Sequence, residues 1–216
     1  MFDYSLAHWL AFLTAAVVLN VSPGPDMAFI LGQTARRGTR AGLAAMLGIW
    51  SGAFVHVIAA ALGLSAILAT SASAFTVAKW LGAIYLIWLG IQAWRSHDGV
   101  AGAPTTDSAS ASRPRIFRHG FLIAALNPKV ALFFLAFLPQ FVMPGAGSTS
   151  AQLFLHGTLV VAVAALIEPP LVLIGGKLAR RMQSSPRVER WMSRALGSLF
   201  IALGIRLAMS DHELAR

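Results

Sequence analysis

Residues 19–31 read LNVSPGPDMAFIL. Two prolines, a glycine and a carboxylate, Asp26, interrupt what is otherwise a long apolar helical run. Proline lacks the N–H that bonds the carbonyl four residues back, and its ring clashes with that carbonyl. Pro23 and Pro25 therefore free the carbonyls of Leu19 and Val21. In hydrocarbon each orphaned group costs several kcal/mol unless protein or water satisfies it. What the interruption means depends on the solvent around it.

Composition identifies that solvent. The chain has 216 residues, 57% hydrophobic and only 12% charged, against about 25% charged in a soluble domain. A bilayer core of about 30 Å needs roughly 20 apolar helical residues. Six runs qualify, at residues 6–32, 41–66, 75–94, 117–139, 150–175 and 192–210. The expected fold is an all-α integral membrane protein of six transmembrane helices, with no soluble domain left over. The formal charge of +9 does not point to nucleic acid, because the basic residues sit in short loops between runs. The absence of cysteine excludes disulfides and thiolate metal sites. The N-terminus MFDYSLAHWL has no basic region before its apolar run, so the first run is expected to be retained rather than cleaved.

The loops set an orientation. Arg36, Arg37 and Arg40 fall in the first loop. Arg95, Arg113, Arg115 and Arg118 fall in the third, and Lys177, Arg180, Arg181, Arg187, Arg190 and Arg194 in the fifth. The second and fourth loops carry none, apart from Lys79 just inside the third run. Basic loops stay in the cytoplasm, which puts both termini on the outer side of the membrane. A five-span chain with an inward N-terminus is the alternative if the broken first segment does not cross. Residues 96–116, Gly/Ala/Ser/Pro-rich and without apolar periodicity, read as a flexible cytoplasmic linker. It divides the chain into residues 1–95 and 117–216, three spans each. Three is odd, so the second half enters from the opposite side, which is the arithmetic of an inverted repeat.

Helical rise then locates the charges. Asp26 lies ten residues before Arg36, about 15 Å from the cytoplasmic edge. Lys129 follows Pro128 in AALNPKVALFFLAFLPQF, eleven residues after Arg118, about 16 Å deep. Glu168, in LIEPPLVLIGGK, lies nine residues before Lys177, about 14 Å deep. Three charges thus reach one level, two of them at matching breaks of the two halves. Asn20 and Asn127 stand beside the breaks as groups able to satisfy freed backbone. Each break also starts a half-helix whose N–H groups and dipole suit an anion such as a substrate carboxylate.

Four stretches, LNVSPGPDMAFIL, RRGTRAGLAAMLGIWSGAFVHVIAAALGLSAIL, KWLGAIYLIWLGIQAWRS and ALNPKVALFFLAFLPQF, closely resemble the LysE/RhtB family of amino-acid exporters. The resemblance implies export of amino acids or their analogues from the cytoplasm, with the proton gradient as driving force. It carries the family motifs onto Pro23, Gly24, Pro25, Asp26, Asn127, Pro128 and Lys129. It leaves the substrate open, since members export basic, neutral and hydroxylated amino acids.

Each sharp reading has a plain one beside it. Asp26 and Lys129 also fit a buried ion pair that ties the halves together, and Glu168 a satisfied carboxylate rather than a proton carrier. His56 lies on the small-residue row Ala44, Gly48, Gly52, His56, Ala60, a helix-packing stripe. That favours an interhelical hydrogen bond over proton coupling, with His56 kept as the alternative carrier. His156 reads as interfacial. His8, His97, His119 and His212 join no constellation, and no metal or cofactor is expected. Trp50 and Trp88 read as lipid- or path-facing. A homodimer is compatible with this reading. The rival functions are a non-transporting membrane scaffold, which has no need of midplane breaks, and an intramembrane enzyme. The latter would need a base for Ser65 or a second aspartate in a span.

Overall fold

The computed structural model describes residues 4–21, 24–66 and 112–174, and single helical residues between 76 and 95 and between 191 and 209. Pro23, Lys79 and most of the third and sixth expected spans lie outside the described residues, as does the linker from 96 to 111. Among the described residues all regular structure is helical. Helix α1 is Leu6–Val21, α2 Pro25–Arg37 and α3 Thr39–Ala59, which continues into a π-helical turn at Ala60–Leu64. Helix α4 is Arg113–Ala125 and α5 Pro128–Phe137, extended by a 3-10 turn at Leu138–Phe141. Helix α6 is Thr149–Leu173.

The α3 helix with its π turn, and α6, are each long and apolar enough to cross a membrane. The pairs α1–α2 and α4–α5 pass the same test as bent spans, with bends of 51° and 52°. Both breaks fall where the prolines put them: Pro25 and Pro128 open the second helix of each pair. Extended backbone at Gly24 and Asn127 makes each turn.

Two expected boundaries shift. The first loop is not a basic segment, because α2 runs through Arg37 and α3 begins at Thr39. Gly38 alone turns the chain, at φ 81°, a left-handed conformation that glycine adopts without steric cost. The second half begins at Arg113, so the linker ends four residues earlier than its composition suggested. Helix α6 is also unbroken through Pro169 and Pro170.

Packing follows the small residues. Gly48 and Gly52 of α3 lie against the carbonyls of Phe117 and Phe121 on α4, leaving no room for a Cβ. Gly120 of α4 returns the contact at Ala45. This backbone-to-backbone approach is how helices associate where no hydrophobic force separates protein from lipid. The interior between α1, α3, α5 and α6 is aromatic and fully buried at Phe12, Phe133 and Phe137. Exposed Leu6, Leu10, Leu62 and Leu166 form an apolar outer surface, as a lipid-facing exterior does. In the remaining segments Trp94 donates to the Arg194 carbonyl at 3.1 Å. Gly90 meets Gly197, and Gly204 meets Ala83. The two segments therefore run antiparallel.

Candidate functional site

The end of α1, the beginnings of α2 and α5, and the bodies of α3 and α6 surround a cavity of about 60 Å³. Among its lining residues are Asn20 and Gly24 at the first break, Asp26 one residue into α2, Trp50 on α3, Lys129 on α5 and Glu168 on α6. The three charges that the helical rise put at one depth therefore do line one space. Apolar side chains of Leu19, Ile49, Phe134, Val160 and Val161 complete the wall. The volume holds roughly five waters, so admitting an amino acid with a branched side chain requires these walls to move.

Asn127 joins the two breaks. Its Oδ1 accepts from the backbone N–H of Lys129 at 3.0 Å, capping α5. Its Nδ2 donates to both carboxylate oxygens of Asp26, at 3.1 and 3.2 Å. The first turn of α2 is thereby tied to the N-cap of α5. The Lys129 ammonium has no ion-pair or hydrogen-bond partner among the described residues. Asp26 and Lys129 interact electrostatically without a direct hydrogen bond between them. Asn20 donates to the carbonyls of Ala16 at 2.8 Å and Val160 at 3.2 Å. It crosslinks α1 to α6 rather than satisfying the carbonyls of Leu19 and Val21.

Glu168 is 6% exposed, and its Oε2 accepts from Trp50 Nε1 at 2.7 Å. Trp50 is thus a site residue, where its sequence suggested a side chain facing lipid or a path. The signal was present in the helical rise: Trp50 lies ten residues after Arg40, about 15 Å deep, the same level as Asp26.

His56 does not line the cavity itself, though it lies within electrostatic range of Asp26. Its Nε2 lies 3.0 Å from the carbonyl of Ala124. Pro128, four residues on, is what removes that carbonyl's helical donor. A carbonyl only accepts, so Nε2 carries the proton and donates. The interhelical hydrogen bond favoured for His56 is present, and it serves the second break.

The histidines hold one correction. His8 and His156 are not isolated: their Nε2 atoms lie 3.0 Å apart. They sit in a ring cluster with Tyr4, Trp9, Phe12 and Phe141. His156 Nδ1 lies 2.8 Å from the Gln152 carbonyl, and the Gln152 side chain accepts from Tyr4 Oη at 2.9 Å. With 148 residues between the histidines, local spacing carries no trace of the pair. No group of three or more metal-ligating side chains is found among the described residues.

Residues 17–211 match the model of the LysE type translocator family. A Vibrio cholerae protein described as an uncharacterized membrane protein is 36% identical over 200 residues, 93% of this chain and 96% of that one. The homoserine/homoserine lactone efflux protein of Salmonella typhimurium is 33% identical over 210 residues, 94% of this chain and 97% of its own. The leucine efflux protein of the same organism is 26% identical over 209 residues, 95% and 97% of the two chains. No solved structure matches this chain.

Proposed function

Because this chain belongs to the LysE type translocator family, we propose that it exports amino acids or close analogues across the bacterial inner membrane by alternating access, coupled to protons. One observation carries the reading. Two opposite charges, Asp26 and Lys129, and a second carboxylate, Glu168, line one buried cavity at the junction of two broken helices. Charges inside a membrane protein are costly and mark substrate or proton paths. A zwitterion supplies an ammonium for Asp26 and a carboxylate for Lys129, and so matches charges that do not bridge to each other.

The repeat reading draws support from the same elements. Helices α1, α2 and α3 recur as α4, α5 and α6, with nearly equal bends. The antiparallel contact of Trp94 with Arg194 and of Gly90 with Gly197 is what a two-fold axis in the membrane plane makes of two third spans. Rocking of such repeats around a midplane site is the usual form of alternating access. Such a repeat gives six spans with both termini on one side, and the arginines at the helix ends favour the outside.

Glu168 is the proton carrier in this scheme. It lines the substrate cavity, and Trp50 holds one of its oxygens. His56 is less suited, since its donor is committed to the Ala124 carbonyl away from the cavity. The efflux proteins named for homoserine and leucine favour neutral substrates, and the apolar wall agrees with them. A scaffold has no use for a charged cavity, and the cavity pairs no nucleophile with a base, so transport is the better reading than catalysis. The test is counterflow of a radiolabelled amino-acid panel in proteoliposomes of the purified protein. Exchange of at least one neutral amino acid is expected, and its absence for the whole panel sinks the reading.

A further inference from the structure

We propose that the Asn127 side chain occupies the substrate's head-group position when the site is empty, so that an amino acid binds by displacing it. The inference rests on the exporter reading and assigns the atoms that reading leaves open. Asn127 is 5% exposed, and its carboxamide is fully engaged at both ends. The NH2 donates to both oxygens of Asp26 at 3.1 and 3.2 Å. The carbonyl oxygen accepts from the Lys129 N–H at 3.0 Å. Pro128 has no N–H, so that amide is the first donor of α5. A donor on a carboxylate and an acceptor on a helix N-terminus, carried by one small group, is also what the ammonium and carboxylate of an α-amino acid provide.

The charges show that the amide is a stand-in rather than a full match. Asp26 accepts from a neutral donor, and Lys129, which also lines the cavity, interacts with Asp26 electrostatically without a direct bond to it. An entering zwitterion offers a cation to Asp26 and an anion to both the Lys129 amide and its ammonium. The amide's bond to Asp26 has one charged partner, whereas an ammonium and a carboxylate make each new contact one between opposite charges. Displacement also unties α2 from α5, because the Asn127–Asp26 bonds are the side-chain link between the two breaks. Substrate selection then follows from the head group. A compound lacking either a free ammonium or a free carboxylate replaces only one end of the amide.

The variant that separates this role from capping is Asn127→Ser. Serine caps a helix about as well as asparagine but has no nitrogen to donate to Asp26. Binding of radiolabelled leucine and homoserine to full-length protein in nanodiscs at pH 8 is the measurement. Whichever of them the wild type binds should bind Asn127→Ser about tenfold more tightly, the equivalent of one hydrogen bond to a charged group. Unchanged or weaker binding overturns the proposal, since a purely structural asparagine gives no gain on removal. If the serine variant does not fold, Asn127→Thr serves the same comparison. A test free of variants runs on the wild type: N-acetylleucine and isoamylamine should not compete with leucine, or with homoserine where that is the ligand bound, and competition by either at comparable concentration overturns the proposal. If the wild type binds no amino acid of the full panel, the exporter reading fails and this inference falls with it. If it binds amino acids but the serine variant shows no gain, only the displacement idea fails.

Discussion

Trp50 and Glu168 face each other from α3 and α6, with Nε1 and Oε2 2.7 Å apart. The bond fixes one oxygen of a carboxylate whose residue lines the cavity. Trp50→Phe keeps most of the ring volume and removes the donor. A hydrogen bond to a charged group contributes about 1.5–3 kcal/mol, so a loss of that order is expected in the stability of the detergent-solubilised protein. Proton-driven efflux should slow more than substrate exchange. Equal slowing of both would make Trp50 a packing residue only. Glu168→Gln mimics the protonated acid in shape, and should abolish proton-driven accumulation while sparing exchange. If it does not, and His56→Gln does, the proton travels through the histidine. That Asp26, Lys129 and Glu168 would come together was legible in the sequence, because a charge in an apolar run announces itself and the rise per residue puts all three at one expected level. Trp50 was at the same depth but is at home in a membrane, so nothing in its local pattern marked it. The Asn127–Asp26 bonds span 101 residues and the His8–His156 contact 148. Both exist only because helices from the two halves meet.

At the scale of elements, the two breaks do different work from the prolines of α6. Pro25 and Pro128 each follow a residue in extended backbone, as the residue before a proline prefers, and each starts a new helix. At the second break the Asn127 N–H takes the Ala124 carbonyl at 3.1 Å in place of the donor that Pro128 lacks, and His56 reaches the same carbonyl from α3. Pro169 and Pro170 lie near the end of α6, and the helix closes over them with Ile174 N–H bonding the Pro170 carbonyl at 2.8 Å. The sequence could mark where proline removes donors, but not whether the helix bends there, because that depends on what stands opposite. Pro25→Ala and Pro128→Ala restore the missing donors and favour a continuous helix through the cavity. Each should reduce counterflow well below the change in abundance, and full transport in both would remove the half-helix account. Gly52→Val tests the other element contact. Its side chain would strike the Phe121 carbonyl and Ala124, which has no flexible neighbour to give way. Loss of folded, detergent-extractable protein is expected.

At the scale of the molecule, the arginines and the outer loop decide orientation. Arg36 and Arg37 end α2, Arg40 begins α3, and Arg113, Arg115 and Arg118 lie in α4. The turn at residues 142–148 between the 3-10 segment and α6 carries no basic residue. That the arginines lie in helix ends rather than in loops leaves the rule intact, because it counts charges near span ends as well. The chain contains no cysteine, so single cysteines report cleanly. Met143 is 37% exposed in that turn, and Ser108 lies in the Gly/Ala/Ser-rich segment between the halves. Met143→Cys should react with an impermeant maleimide in intact cells, and Ser108→Cys only after the membrane is opened. The reverse pattern inverts the protein. Labelling of both from one side means that the second half does not enter from the opposite face. The antiparallel contact of Trp94 with Arg194 would then need an explanation other than a two-fold axis, and the matching bends of 51° and 52° would be coincidence rather than symmetry.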